Sequence, residues 1–499
     1  MKVAIVGGGV GGLVSALLLS QYGVDVTIYE KDSKIGGRLT FFEKEGFKID
    51  QGPTIILLPE IIVSILEEAG IQKDLLDLYQ CDPLYRIHFE NGKSFTKYSD
   101  LSQQVEEINR VFPGDGNGFI KFMADMSERF EIGKPQILEQ SFLKKKDYLN
   151  RATASSLLKL KAYRNVMSNL KQYFTHEKLR QVYGLQTLYI GGNPYTTPAI
   201  YSLVSYSEHK HGIYYLKGGY ASLVEQLEEA CKQYDVKIKK NSPVTKVISD
   251  DTKATHIHVH NREVEVDAVI LNGDFPISDK LVVSKKKKRH TPSSGCFLLY
   301  IGIEGKYENK EIHQFYLNDD FERNMKAIFK EKHIPENPSY YVFNPSIIDE
   351  SLAPDGHSSL YVLVPVPANM NINWEEEKQV LQKKILDKME RDGFEHIKSR
   401  IKWIESRTPL DAEIEGLYSG GSFGVAPSLF QSGPFRTQVQ PYKQRNIFAV
   451  GASIHPGGGI PIVMQGAKNL VEVFKDEFQL YEKRGEVTLH EHFESIRTM

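Results

Sequence analysis

Three glycines near the start of the chain stand where a phosphate can be held. Gly7, Gly9 and Gly12 have G-x-G-x-x-G spacing, Ala16 follows, and Glu30 lies eighteen residues beyond Gly12. Gly7 permits a tight turn. Gly9 lets backbone N–H groups approach a pyrophosphate, whose charge is favoured at the positive end of the following helix. Gly12 and Ala16 allow that helix to pack closely on a strand. The Glu30 carboxylate is spaced to accept hydrogen bonds from a ribose. The chemistry these residues predict is dinucleotide binding. The elements that must position them are also legible. "VAIV" predicts a buried parallel strand, "LVSALLLSQYG" a helix stopped at Gly23, and "VDVTIYE" a second strand ending in Glu30. An export signal would lack that second strand, and Tyr22–Gly23 is a poor cleavage site. A glycine-rich core turn would leave Glu30 unexplained.

Two more stretches bear on the chemistry. Gly36-Gly37-Arg38 is a second backbone-exposing turn, and its cation can meet the same pyrophosphate; a nicotinamide site requires no such turn. Far along the chain, "NIFAVGASIHPGGGIPIVMQGAKNLVEVF" (446–474) predicts a strand, a glycine loop through Gly451 and Gly457 to Gly459, and a helix beginning at Pro461. A helix start behind a glycine loop again favours an anion or an oxygen-rich ligand. His455, inside that loop, is the candidate proton acceptor. The sequence shows no carboxylate dyad, Ser-His-Asp set or HExxH.

With 499 residues the chain can bury a large core and form two domains or more. Its net charge of −2 gives no general reason to expect nucleic acid as a partner. Cys81, Cys231 and Cys296 lie far apart with no CxxC pair, which argues against a metal site or redox dithiol and fits a reducing cytoplasm. No apolar run is long enough to span a bilayer, so membrane contact would be peripheral. The 144–180 stretch sets ten lysines and arginines against Asp147 and Glu177. Within it "SSLLKLKAYRNVMSNLKQYF" interleaves apolar residues and cations at helical spacing. That predicts an amphipathic helix, either packed on its own domain or resting on anionic lipid headgroups. "SKKKKRH" (284–290) adds cations. The strand-like runs "CFLLYIGI", "SYYVFN" and "SLYVLVPVP" predict a separate sheet, and "VKIKKNSPVTKVI" a further strand.

The E-x5-G-G-R segment from Glu30 to Arg38, followed by "DQGPT" (50–54), resembles the flavoprotein superfamily of amine oxidases and carotenoid desaturases. "HPGGGIP" narrows the resemblance to bacterial carotenoid (phytoene-type) desaturases. Ala452 stands after Gly451, where many amine oxidases carry an acid. "LQTLYIGGNPYTTPAIYSL" (185–203), "YYLKGGYASLVEQLEEA" (214–230), "LAPDGHSSLYVLVPVP" (352–367) and "GGSFGVAPSLFQSGPFR" (420–436) fall in that family's order, so nearly the whole chain is covered. "DQGPTI", "LQTLYIG" and "HPG" bring it closest to the dehydrosqualene (4,4'-diapophytoene) desaturases of Gram-positive bacteria. Thr437 departs from the proline usual after Arg436.

The resemblance implies an α/β fold. A Rossmann-like FAD-binding domain would be assembled from the discontinuous segments 1–75, 205–285 and 410–499. An α+β substrate domain, with a helical, membrane-associating region, would come from 76–204 and 286–409. FAD would be held by Gly7, Gly9, Gly11, Gly12, Glu30, Lys31, Gly37, Arg38, Thr54, Val244, Gly451, Gly458, Ile460, Pro461 and Val463, with no metal. Tyr189, Ile190 and Phe297 would line an apolar tunnel. The implied reaction is desaturation of dehydrosqualene toward 4,4'-diaponeurosporene or 4,4'-diapolycopene by hydride transfer to flavin, in carotenoid biosynthesis. The neighbouring proton of the resulting allylic cation is very acidic, so a weak acceptor such as His455 suffices. The implied partners are the apolar C30 polyene, an anionic membrane surface at the cytoplasmic face of the cell membrane, and an electron acceptor, oxygen or a quinone. The alternatives are an oxidase forming terminal aldehydes on a C30 polyene, a flavin amine oxidase, and a lipid-carrying flavoprotein without turnover.

Overall fold

A computed structural model describes residues 1–72, 75–283, 288–368 and 372–480. Of the "SKKKKRH" stretch, 284–287 lie outside the described residues. Five parallel strands form the sheet behind the glycine turn, in the order Ile447–Ala449, Ala268–Leu271, Lys2–Val6, Asp25–Tyr29 and Lys237–Lys239. The strands are short, and all but the edge strand Lys237–Lys239 are largely buried and apolar, as parallel strands covered on both faces must be. Helix Val10–Ser20 packs between this sheet and helix Ile460–Phe478, with Leu13, Val14, Ala16 and Leu17 wholly buried. Sequence-distant ends of the chain thus meet on one face.

"VKIKKNSPVTKVI" is two strands, not one. Lys237–Lys239 joins the parallel sheet, and Val244–Ser249 joins a three-stranded antiparallel sheet with Ala254–Val259 and Arg262–Glu265. Asn241, at φ +51°, makes the break between them.

A seven-stranded sheet runs in the order Ile401–Arg407, Gly295–Glu304, His357–Val366, Tyr340–Phe343, His313–Leu317, Tyr85–Phe89 and Ser94–Lys97. All its neighbours are antiparallel except His313–Leu317 with Tyr85–Phe89. One face packs Phe297, Leu299, Val362 and Val364 against helix Trp374–Arg391. The other face carries a row in direct cross-strand register, Leu298, Leu363, Tyr341, Phe315 and Ile87.

The last two strands of this sheet come from the segment before residue 100, outside the runs that predict the sheet in the sequence. They are tied to the helices by a wholly buried ion pair, Lys97 Nζ to Glu208 at 2.5 Å. Tyr85 Oη donates to the same carboxylate at 2.8 Å, and Gln186 Nε2 donates to Tyr85 Oη at 2.8 Å. Burial lowers the Lys97 pKa against the opposing pull of Glu208. Paired charges at this depth must keep each other.

The 144–180 stretch is not one amphipathic helix. It breaks into Lys145–Tyr148, Arg151–Lys159, Val166–Leu170 and the start of Glu177–Gly184. Asn150 and Asn165 cap two of these pieces, accepting from Thr153 and Ser168 N–H, and Lys161 turns the chain at φ +51°. Among the described residues no helix is long and apolar enough to cross a membrane.

Candidate functional site

The glycine turn, the glycine-rich C-terminal loop and the open face of the seven-stranded sheet enclose one cavity of about 1270 Å³. At its first end Gly7 sits at φ +105°, and a Cβ there would lie 2.9 Å from Asn272 O. A Cβ on Gly12 would lie 2.5 Å from Gly7 O, so helix and strand touch where the spacing requires it. Asn272 Nδ2 donates to Gly7 O and Gly9 O at 2.9 and 3.1 Å, locking the turn to the neighbouring strand. Gly36 N–H donates to Gly8 O at 2.8 Å, which brings the second glycine turn alongside the first. Glu30 is buried, with one carboxylate oxygen accepting from Gly8 N–H at 2.7 Å and the other from Asp32 N–H at 2.9 Å. The acid is fixed at the strand end, facing the cradle.

Cations surround this end. Arg38 Nη2 is 3.7 Å from Asp274; burial lowers the Arg38 pKa and Asp274 opposes that fall. Asp274 also accepts from Tyr418 N–H at 2.9 Å and from the Ser453 hydroxyl. Lys31 Nζ donates to Glu415 O at 2.8 Å, and Arg407 pairs with the Glu415 carboxylate. At the other end, helix Ile460–Phe478 starts behind Gly459, at φ +99°, and no side chain caps it. Its leading end therefore faces the cavity with positive polarity.

Of the fifteen residues expected to hold FAD, Gly7, Gly9, Gly11, Glu30, Lys31, Gly37, Arg38, Thr54, Val244, Gly451, Gly458, Ile460, Pro461 and Val463 line this cavity. Gly12 lies behind it, in the helix–strand contact. Asn272, Asp274 and Arg407 line it too and were missed by the sequence reading. A turn packed tight at Gly7, Gly11 and Gly12, a fixed acid and an uncapped helix start fit a flavin dinucleotide lying along the cavity.

Two expectations need correction. Phe297 is wholly buried on the far face of its strand, with its ring stacked 6.5 Å from Trp374. Its neighbours Cys296 and Leu298 line the cavity instead, as do Tyr189 and Ile190. His455 does not line the cavity. Its Nε2 lies 3.0 Å from Ile137 O and 2.9 Å from Gln140 O, so this nitrogen carries the proton and donates. Nδ1 is buried without a partner, and burial pushes the pKa down to about 4. The side chain braces the glycine loop against the helical insertion and is placed to receive no proton from a ligand.

The rest of the cavity is largely apolar. Leu298, Leu363, Tyr341 and Phe315 make its floor, crossing three strand gaps, about 14 Å. Leu157, Ala162, Leu429 and Phe435 line it near the broken basic helices.

The pattern of the flavin-containing amine oxidoreductase family matches residues 10–469. The 4,4'-diapolycopen-4-al dehydrogenase of Metabacillus indicus is 51% identical over 487 residues, covering 97% of this chain and 99% of that protein. A 4,4'-diapophytoene desaturase (4,4'-diaponeurosporene-forming) of Staphylococcus haemolyticus is 33% identical, covering 96% and 99%. Among solved structures, an oxidoreductase from Methanosarcina mazei superposes with a TM-score of 0.63 at 15% identity, covering 95% of this chain and 100% of that one, a likeness of fold.

Proposed function

The chain belongs to the flavin-containing amine oxidoreductases, and from that footing we propose that it dehydrogenates a C30 carotenoid precursor such as dehydrosqualene. It is an FAD-dependent oxidoreductase. The observation that carries the substrate class is the continuity of the cofactor cradle with an apolar floor built from a cross-strand row. A hydrocarbon chain laid on Leu298, Leu363 and Phe315 gives up no hydrogen bonds and buries apolar surface at about 25 cal/mol per Å². When bound, FAD supplies a two-electron acceptor for hydride. The protein's part is to hold the chain dry, fix the acceptor's anionic groups at Arg38 and the helix start at Ile460, and remove a proton.

A second reading, oxidation at a terminal carbon, is favoured by the 51% identity to an aldehyde dehydrogenase against 33% to a desaturase. That chemistry needs water at the chain end, whereas desaturation needs only hydride and proton loss. Either enzyme differs from a carrier in one respect. Anaerobic addition of dehydrosqualene to the holoprotein is expected to bleach the oxidised-flavin absorbance. A spectrum that only shifts, without bleaching, with dehydrosqualene and also with a C30 polyene bearing a terminal aldehyde would leave a carrier.

The working units we propose are an FAD-binding unit of 1–75, 205–285 and 410–499 and a substrate unit of 76–204 and 286–409. The substrate reaches the second from a membrane, and the electrons leave to oxygen or a quinone. Support for membrane docking comes from large apolar side chains exposed among the cations of 144–180. Leu149 is 68% exposed and Leu158 63%; outside that stretch, Phe430 is 72% exposed and meets the cavity-lining Phe435 edge-on, ring centroids 6.0 Å apart. The cations add up to about 1 kcal/mol each at an anionic surface, screened by salt. The docking face is at the cytoplasmic side of the cell membrane. Holoprotein is expected to sediment with phosphatidylglycerol vesicles, less at high salt, and less again as Phe430→Ser. Equal binding to neutral vesicles would contradict the electrostatic part.

A further inference from the structure

Desaturation removes a hydride and a proton, and with His455 turned away the proton needs another acceptor. Within the cross-strand row of the floor, Tyr341 brings a hydroxyl, in register between Leu363 and Phe315. Its Oη lies 2.8 Å from Thr54 Oγ1 and 2.7 Å from His313 Nδ1. Thr54 and Tyr341 line the cavity, and Thr54 is on the segment expected to run beside the flavin. His313 is wholly buried behind them, with Nε2 lacking any partner. Its ring is stacked 5.1 Å from Phe343 and 6.0 Å from Tyr341.

We propose that Tyr341 takes the proton shed by the substrate and passes its own to His313, with Thr54 holding the Tyr341 hydroxyl in place. This rests on the desaturation reading. Hydride loss leaves an allylic cation. The adjacent C–H bond breaks, and its electron pair becomes the new double bond. Its proton goes to Tyr341 Oη as the Tyr341 proton moves to His313 Nδ1, with Nε2 carrying the other imidazole proton. The resting groups are poised for this. Burial holds His313 neutral, its pKa pushed down to about 3, and raises the Tyr341 phenol well above its usual range. An imidazole so weakly basic still accepts from an allylic cation, a far stronger acid, and the faces of Phe343 and Tyr341 stabilise the imidazolium. Tyr341 is thus a catalytic residue, and His313 and Thr54 are positioning residues that act through it.

Tyr341→Phe keeps the ring and removes the hydroxyl. The test uses holoenzyme and two labelled dehydrosqualenes, one deuterated at the hydride-losing carbon and one at the proton-losing carbon. The variant is expected to load flavin fully and to turn over roughly 10²-fold more slowly. Its deuterium effect should move from the hydride-losing to the proton-losing carbon, which a packing defect would not cause. An unchanged pattern of isotope effects, at whatever rate, would overturn the relay. If the wild-type protein makes only terminally oxidised products, the desaturation reading falls and the relay with it. If the wild type desaturates while Tyr341→Phe keeps its isotope pattern, the relay falls alone.

Discussion

Gly9→Val is expected to give a folded protein without flavin. Gly9 caps the helix start at φ −75° and ψ 171°, backbone that valine adopts freely. A Cβ there meets only Asn272 Nδ2, at 3.2 Å, a close contact with one side-chain amide and none with backbone. The side chain would project into the cavity where backbone N–H groups should reach the pyrophosphate. Losing two charge-assisted hydrogen bonds costs about 3–6 kcal/mol, or two to four powers of ten in Kd. Gly12→Val makes the informative contrast, because its Cβ would collide with Gly7 O and break the turn. Flavin absorbance of the purified variants, beside their far-ultraviolet circular dichroism, checks both. The expected result is normal secondary structure in Gly9→Val with its flavin lost, and disturbed folding in Gly12→Val. A fully loaded Gly9→Val would mean that the cradle is misplaced.

The parts of this site that were legible in the sequence are local ones. Gly7, Gly9, Gly12 and Glu30 lie within one strand–turn–helix–strand unit, where spacing alone fixes geometry. The C-terminal loop is equally self-contained. What was missed depends on register or on chain crossings. Asn272 and Asp274 follow directly on the strand Ala268–Leu271, at the carboxyl end of a parallel sheet, where ligands gather. That position was the available signal, and "VILNGD" carried it. Phe297 was placed on the wrong face because "CFLLYIGI" is apolar on both faces, so alternation says nothing about which one meets the cavity. The Thr54–Tyr341–His313 cluster joins a loop residue to a tyrosine 287 positions away, and that tyrosine to a histidine on the neighbouring strand, which no spacing reveals. The basic stretch misled because its cations do recur at helical spacing, yet Asn150 and Asn165 act as caps within it and divide it. His455 was drawn into the site by its neighbours in "HPGGGIP", whereas its side chain follows the carbonyls of 137 and 140 away from the cavity.

The account stands or falls on the product. The protein is to be co-expressed with an enzyme that forms dehydrosqualene, in a host without other carotenoids, and the extracted pigment examined by absorption and mass. A cofactor cradle continuous with an apolar floor, and Tyr341 Oη between Thr54 and His313 on that floor, suit CH–CH chemistry, which adds no oxygen. The predicted result is a coloured C30 hydrocarbon whose absorption lies at longer wavelength than that of its precursor, with one H₂ lost for each double bond gained. Dehydrosqualene left untouched, while C30 polyenes bearing terminal aldehydes gain oxygen when supplied to the same cells, would contradict it and move the reaction to the chain end.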